Sequence, residues 1–208
     1  MSISYDKILS MKKILNIKEY PKYIDDAFLI YTSLFDPSEQ EPKWKILRCV
    51  EENKYEMFVY VDDGLCVGFF IVDINKELNY AILTFLGVSQ KHQNQGIGSK
   101  LLKKAIDRFY MMDDIEFFFI EADDNPAKLY ERYQFKLLDM EYYIPLYGTD
   151  ELQKTNLLFM KKTKQLSKTK LKSIIVDIFT YGYMLDMDDK RLSRVLELVD
   201  TTYKHNAP

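Results

Sequence analysis

The sequence predicts a mixed α/β fold built around one sheet, and three observations carry that expectation. The segments Tyr55–Gly64, Leu65–Ile74 and Asn79–Val88 are short, rich in aromatic and β-branched residues, and bounded by turn residues. That is the pattern of consecutive antiparallel strands. The stretch Ile115–Ala122, IEFFFIEA, is a nearly continuous apolar run, as a strand covered on both faces requires. Between them Leu101, Leu102, Ala105, Ile106 and Phe109 recur as one helical face, which makes a β-α-β crossover.

The remaining elements follow in chain order. Residues before Lys12 read as a ragged tail, with Met11 as an alternative start, and Lys12–Ile17 reads as a first strand. Pro21 opens a helix that places Ile24, Phe28, Tyr31 and Phe35 near helical spacing. FDPSEQEP breaks that pattern with two prolines, and a second helix is expected to carry Trp44, Leu47 and Val50. After the central run, NPAKLYERY (Asn125–Tyr133) starts a helix with Asn or Asp as cap and Pro126 in the first turn. Two last strands are expected around Phe135–Tyr143 and Asn156–Lys162. The order is β-α-α-β-β-β-α-β-α-β-β, so residues 12–163 read as one domain. Residues 164–208 read as a helical C-terminal extension whose apolar stripes, Ile174, Ile175 and Ile178, then Leu192, Val195, Leu196 and Val199, must cover something.

Bulk properties narrow the function. A chain of 208 residues with 47% hydrophobic content supports one well-buried core. A net charge of −3 does not fit a strongly basic nucleic-acid binder. The lysine-rich run KKTKQLSKTKLK reads as a solvated linker, with an anionic partner or RNA as the sharper alternative. Cys49 and Cys66 give neither a disulfide framework nor a metal spacing, and two histidines, His92 and His205, argue against structural zinc. The first residues lack a signal-peptide core, and no apolar run approaches the ~20 residues of a membrane span. A cytoplasmic protein without metal is the expectation.

The chemistry concentrates at Gln93-Asn94-Gln95-Gly96-Ile97-Gly98, which follows a strand and opens a helix. Such a junction aims unpaired backbone N–H groups and the positive end of a helix dipole at one point, where phosphate is the natural occupant. Glycines let the ligand approach the backbone. The Lys-Ser/Thr of a P-loop is missing, as is the spacing of a dinucleotide fingerprint. Taken alone, the stretch is equally well an ordinary strand-to-helix turn.

A second constellation, NPAKLYERYQF, changes that. Together, Gln93-x-x-Gly96-x-Gly98 and Asn125-x-x-x-Leu129-Tyr130-x-x-x-x-Phe135 resemble the GCN5-related N-acetyltransferase (GNAT) superfamily. Its acyl-CoA signature is Arg/Gln-x-x-Gly-x-Gly/Ala, and its later signature often reads Asn-x-x-Ala-x-x-Leu-Tyr-x-x-x-Gly-Phe. The resemblance covers residues 12–163. It departs at Gln134, where the family usually has Gly, and at the Ala, which stands two residues after Asn125 rather than three.

The resemblance implies a GNAT-like fold and an enzyme that moves an acetyl group from acetyl-CoA directly to an amine. It implies that the amides from Gln93 to Ser99 (Asn94, Gln95, Gly96, Ile97 and Gly98 between them) hold the CoA pyrophosphate. It also implies that the backbone of Leu86, Gly87 and Val88 pairs with the pantetheine arm, with Gly87 where the strand opens. Tyr130 is the expected general acid for the departing thiolate; on an unrelated helix it would be a core aromatic. Asn125 is expected beside the cofactor or as a helix cap. Glu121, at the end of the fifth strand, is the expected base, with Glu41 or a water relay as alternatives. His92 and Cys66 are expected to have no catalytic role. FDPSEQEPKW and EYYIPLYGTD, with Glu39, Glu41, Trp44, Tyr142 and Tyr143, are the expected acceptor loops, and carboxylates with aromatics suit a cationic amine. A homodimer through the C-terminal helices stays open. So does a second class of function, a catalytically weak acyl-CoA sensor whose helical tail engages a partner.

Overall fold

A computed structural model describes residues 12–204. The N-terminal tail with Met11, and His205, lie outside the described residues. The described residues divide into two compact units, one made of residues 12–74 with 83–112, the other of 75–82 with 113–204. Among the described residues there are eight strands and six α-helices, and the fold is mixed α/β.

In the first unit, β1 (Lys13–Asn16) pairs antiparallel with β2 (Tyr55–Asp62), which pairs antiparallel with β3 (Leu65–Asn75). Phe58 stands opposite Phe70, their rings stacked at 5.1 Å. The second half of β4 (Tyr80–Val88) lies beyond β3. Residues 67–73 of β3 are buried without alternation, so both faces of the strand are covered. Helix α1 (Ile24–Leu34) inserts Tyr31 edge-on to Phe85 at 4.9 Å and to Phe69 at 6.1 Å. Helix α3 (Ile97–Met111) buries Leu101, Leu102, Ala105 and Phe109, while Ile106 of the expected face is half-buried.

Helix α2 (Lys43–Glu51) corrects the expected stripe. Ile46, Cys49 and Val50 face inward, Leu47 is half-buried, and Trp44 is 57% exposed, with the Arg48 guanidinium over its ring. Lys45 decides the rotation. Its ammonium is buried against the Glu41 carboxylate, so the helix turns a cation inward and a tryptophan outward, against hydrophobicity alone.

In the second unit, β5 (Phe117–Ala122) pairs antiparallel with the later half of β8 (Leu152–Lys161), whose first residues pair with β7 (Tyr142–Pro145). The single strand expected at Phe135–Tyr143 is instead two, β6 (Lys136–Leu137) and β7. The chain bends between them, where Leu138 N donates to the Leu157 carbonyl and Met140 N to the Leu138 carbonyl. Helix α4 (Asp124–Glu131) follows β5. The C-terminal residues form α5 (Lys168–Asp177), capped by Ser167 Oγ accepting from Lys170 N, and α6 (Lys190–Thr202), capped by Asp189 accepting from Arg191 N. A π-helical turn, Ile178–Gly182, ends α5. Leu171, Ile174, Ile175, Leu192, Val195 and Val199 are buried in one cluster with Tyr80, Phe117, Phe119, Tyr142 and Leu157. At about 1.5–3 kcal/mol for each side chain removed from water, these contacts hold the C-terminal helices in the core of the second unit.

Candidate active site

The glycine turn of the first unit is built from backbone. Ser89 N donates to the Val67 carbonyl at 2.9 Å, and a short 3-10 turn, Gln90–His92, leads to the loop. The Ser89 hydroxyl lies 2.7 Å from His92 Nδ1, which holds the imidazole to the turn. The Gln93 amide donates to the Val88 carbonyl at 3.1 Å, so this side chain closes the loop on β4. Asn94 has φ +60° and Gly96 φ +74°. Gly96 then stands as the N-cap of α3, where no side chain caps the helix and the first turn holds no acid. The N–H groups of Ile97, Gly98 and Ser99 thus open a helix whose positive end lacks a side-chain counterweight.

The two glycines differ. At Gly96 a Cβ would meet nothing within 4 Å, so the left-handed φ alone is what favours glycine there. At Gly98 a Cβ would make only ordinary contacts, 3.8 Å to Val88 and 3.9 Å to Leu86. The chain's own packing gives Gly98 no reason to be glycine, although glycine in a helix costs about 0.5–1 kcal/mol relative to alanine. On β4, Gly87 has its reason inside the protein: a Cβ there would sit 2.9 Å from Leu34 and 2.9 Å from Phe69. Leu86 is half-buried and Val88 buried.

In the second unit, Tyr130 lies on α4, half-buried, its ring 6.1 Å from that of Phe135. Its hydroxyl makes no hydrogen bond among the described residues, and burial pushes its pKa up. The phenol therefore stays protonated through the neutral range. Asn125 is exposed and lies inside α4; Asp123 holds the N-cap position, and its carboxylate accepts from the Thr155 hydroxyl at 3.3 Å. Glu121 is held at both oxygens. The Tyr142 hydroxyl donates to Oε1 at 2.5 Å, and the Tyr183 hydroxyl donates to Oε2 at 2.7 Å. Burial raises its pKa, and the two phenols pull it back only in part.

Over residues 22–135 the sequence matches the acetyltransferase (GNAT) family, more than half of the chain. The chain belongs to the GNAT acetyltransferase family. Solved structures agree in fold. A GNAT-family protein from Bacteroides thetaiotaomicron superposes with TM-score 0.67 at 15% identity, covering 84% of this chain and 99% of that one. Naa50 of Arabidopsis thaliana, in complex with the bisubstrate analogue CoA-Ac-MVNAL, has TM-score 0.57 and 17% identity over 73% and 99% of the two chains. The dodecameric spermidine N-acetyltransferase of Vibrio cholerae has TM-score 0.54 and 15% identity over 72% and 93%. No curated protein sequence matches the chain.

A GNAT acetyltransferase uses acetyl-CoA, and the residues of the glycine loop fit that donor. They offer an uncapped helix N-terminus, a left-handed glycine facing open space, and a second glycine that the fold itself does not need. Among the described residues no group of His, Cys, Asp or Glu could hold a metal ion, and no helix is long and apolar enough to cross a membrane. Gln134, standing where the family usually has Gly, has φ +71°, which explains the family's glycine and marks this side chain as strained.

Glu41, the alternative base, is 1% exposed and paired with Lys45, and Tyr55 donates to it at 2.8 Å. Burial pushes the Cys66 thiol up to about 12, leaving it protonated and unreactive at neutral pH. Sequence reasoning missed two features. Asp123 lies seven residues before Tyr130, the spacing of the family's Asn, and counting back from the tyrosine would have found it. Tyr183 has no local motif; only the folded chain brings it to Glu121.

Proposed function

We propose that this protein transfers the acetyl group of acetyl-CoA directly to an amine. The amides of residues 93–99 bind the CoA pyrophosphate, the backbone of Leu86–Val88 receives the pantetheine arm, and Tyr130 serves as general acid. The neutral amine attacks the thioester carbonyl. A C–N bond forms, the C–S bond breaks, the amine proton passes to Glu121, and the departing thiolate takes the Tyr130 proton. Burial suits both roles: it keeps the phenol protonated and moves a carboxylate toward the pH at which it accepts protons efficiently. Asn125, exposed on the first turn of α4 and not engaged as a cap, is available to the donor's amide groups.

One observation carries the reading: α3 begins uncapped, with a glycine at 98 that the protein's own packing does not require. A bound phosphate accounts for both. The acceptor class follows the family chemistry, a primary amine, for which spermidine and the peptide MVNAL are suitable probes because related folds act on or bind them.

Calorimetric titration with acetyl-CoA and CoA tests the cradle, with Gly96→Glu as the variant. Wild type binds and Gly96→Glu does not, because the new carboxylate and the lost left-handed glycine both oppose the pyrophosphate. Amine-dependent CoA release then tests Tyr130: Tyr130→Phe keeps donor binding and loses about 10²-fold or more in kcat. A wild type that does not bind acetyl-CoA overturns the transferase reading.

A further inference from the structure

Two hydroxyls from distant parts of the second unit converge on one carboxylate. Tyr142 lies on β7, is 1% exposed, and donates to Glu121 Oε1 at 2.5 Å. Tyr183 follows the π-helical turn that ends α5 and donates to Oε2 at 2.7 Å. The C-terminal segment therefore reaches past its own helices to touch a residue at the end of β5. Its backbone is shaped for this. Tyr183 N donates to the Ile178 carbonyl at 3.0 Å, Leu185 N donates to the Phe179 carbonyl at 3.0 Å, and Met184 between them takes φ +57°. A non-glycine residue in that region costs on the order of 1 kcal/mol, so the turn is held against strain. The Tyr183 ring packs against Phe179 at 5.8 Å and Tyr147 at 5.5 Å, and the Tyr147 hydroxyl donates to the Gly182 carbonyl at 2.9 Å. Tyr183 also lines a cleft of about 430 Å³ with Leu146, Tyr147, Thr149 and Arg191. That cleft contains the loop after β7, one of the stretches expected to meet the acceptor.

We infer that Tyr183, with Tyr142, is a positioning residue for Glu121: the two phenols fix the rotamer of the carboxylate and favour its ionised form, so that the C-terminal segment belongs to the base machinery of the enzyme. The inference rests on the transferase reading with Glu121 as base. The geometry leaves the base competent. A carboxylate offers about four lone-pair directions, and the two phenols use two of them. The groups facing it are hydroxyls that can only donate to it while it is charged, and donation to the charged form favours that form. Tyr147 stands behind Tyr183 and Tyr80 behind Tyr142; the Tyr80 hydroxyl is itself donated to Asp177 of α5 at 2.6 Å. The carboxyl group is thus held by two phenols, each with a further tyrosine behind it. Removing one hydroxyl raises the pH at which the carboxylate ionises, and leaves the ring packing in place.

The test uses the full chain labelled with ¹³C at glutamate carboxyls, the Glu121 resonance being assigned by its loss in Glu121→Gln. Tyr183→Phe is titrated against wild type by NMR. In parallel, kcat/KM for CoA release is followed against pH with spermidine or MVNAL peptide as acceptor. The expected result is that the Glu121 midpoint and the acid limb of the rate profile move up together in Tyr183→Phe, with Tyr142→Phe doing the same. A Glu121 midpoint that stays where it is in Tyr183→Phe, while Glu121→Gln abolishes turnover, overturns the inference and leaves the base reading standing. A Glu121→Gln variant as active as wild type, with its acid limb intact, overturns the base reading and the inference with it.

Discussion

In the first unit Glu41, 1% exposed, faces a cation: Lys45, itself 2% exposed, pairs with Oε1, to which Tyr55 also donates at 2.8 Å. In the second unit the groups that hold Glu121 are two phenols, one on each oxygen. Burial raises the pKa of both carboxyls, and the partners pull back, a lysine and a phenol in one case and phenols alone in the other. The difference separates two uses of a buried acid. A carboxylate locked to an ammonium one helical turn away has its charge answered inside the protein, and it orients α2 by turning Lys45 inward. A carboxylate held only by hydroxyls meets no fixed countercharge, which suits the proton transfer proposed for Glu121. Glu41 Oε2 is buried without a hydrogen-bond partner, so even the locked acid is imperfectly satisfied.

Breaking the ion pair gives the largest effect. Lys45→Met leaves the Glu41 charge buried without its cation, and the fold should lose about 3–5 kcal/mol in denaturant unfolding. Adding Glu41→Gln to that variant should recover much of the loss, because the uncompensated charge is gone. A double variant as unstable as the single one would mean that packing, not charge, is at stake.

The two phenols come next. Tyr142→Phe removes a donor to a charged acceptor and should cost about 1.5–3 kcal/mol at neutral pH. The carboxylate itself should show in the pH dependence of stability. Its folded pKa is raised, so between the unfolded and folded values the native state binds more protons than the unfolded state. Stability from this group is therefore full below the usual carboxylate range and lost as pH rises through the folded value. Glu121→Gln should remove that slope, so the variant gains on wild type as pH rises. Parallel curves for the two proteins would show that Glu121 is not the group being titrated.

These two carboxylates also show which parts of the site sequence could reveal. The glycine loop was legible because the role proposed for it belongs to backbone, and a backbone feature needs only a short contiguous pattern: Gly96 supplies a left-handed φ and α3 begins directly after it. Tyr130 was legible through its fixed distance from Phe135 along one helix and its exit, and the two rings do meet. Glu121 could be named because it ends a recognisable apolar strand. Its partners could not be, since Tyr142 and Tyr183 are separated from it by 21 and 62 residues and nothing local distinguishes them among 16 tyrosines. The rotation of α2 was hidden for a related reason: hydrophobicity favours burying Trp44, and the buried partner that reverses the choice is a lysine. Tertiary pairing of polar groups overrides the pattern in both places.

Gln134 offers a smaller effect. It occupies a left-handed φ of +71° at the exit of α4. Gln134→Gly relieves about 1 kcal/mol of strain and returns a few tenths through the freer unfolded chain, for a net gain of about 0.5–1 kcal/mol. A melting temperature that does not rise would mean that the Gln134 side chain makes contacts worth as much as the strain.

The smallest stability effect is the most informative about the donor. Gly98 is the residue whose identity the protein's own geometry fails to explain, as Glu121 is the acid whose charge the protein leaves open. A methyl group there would touch Val88 and Leu86 at ordinary distances, and alanine is the better helix former. Gly98→Ala should therefore be neutral in stability or gain about 0.5 kcal/mol, at the low end because the site is in the first turn. It should nevertheless weaken acetyl-CoA binding in calorimetry, since the methyl group projects where a phosphate must approach the amides of α3. The two readouts moving in opposite directions would mean that glycine is kept for the ligand and not for the fold. Unchanged affinity would mean that the pyrophosphate does not rest on this turn of the helix.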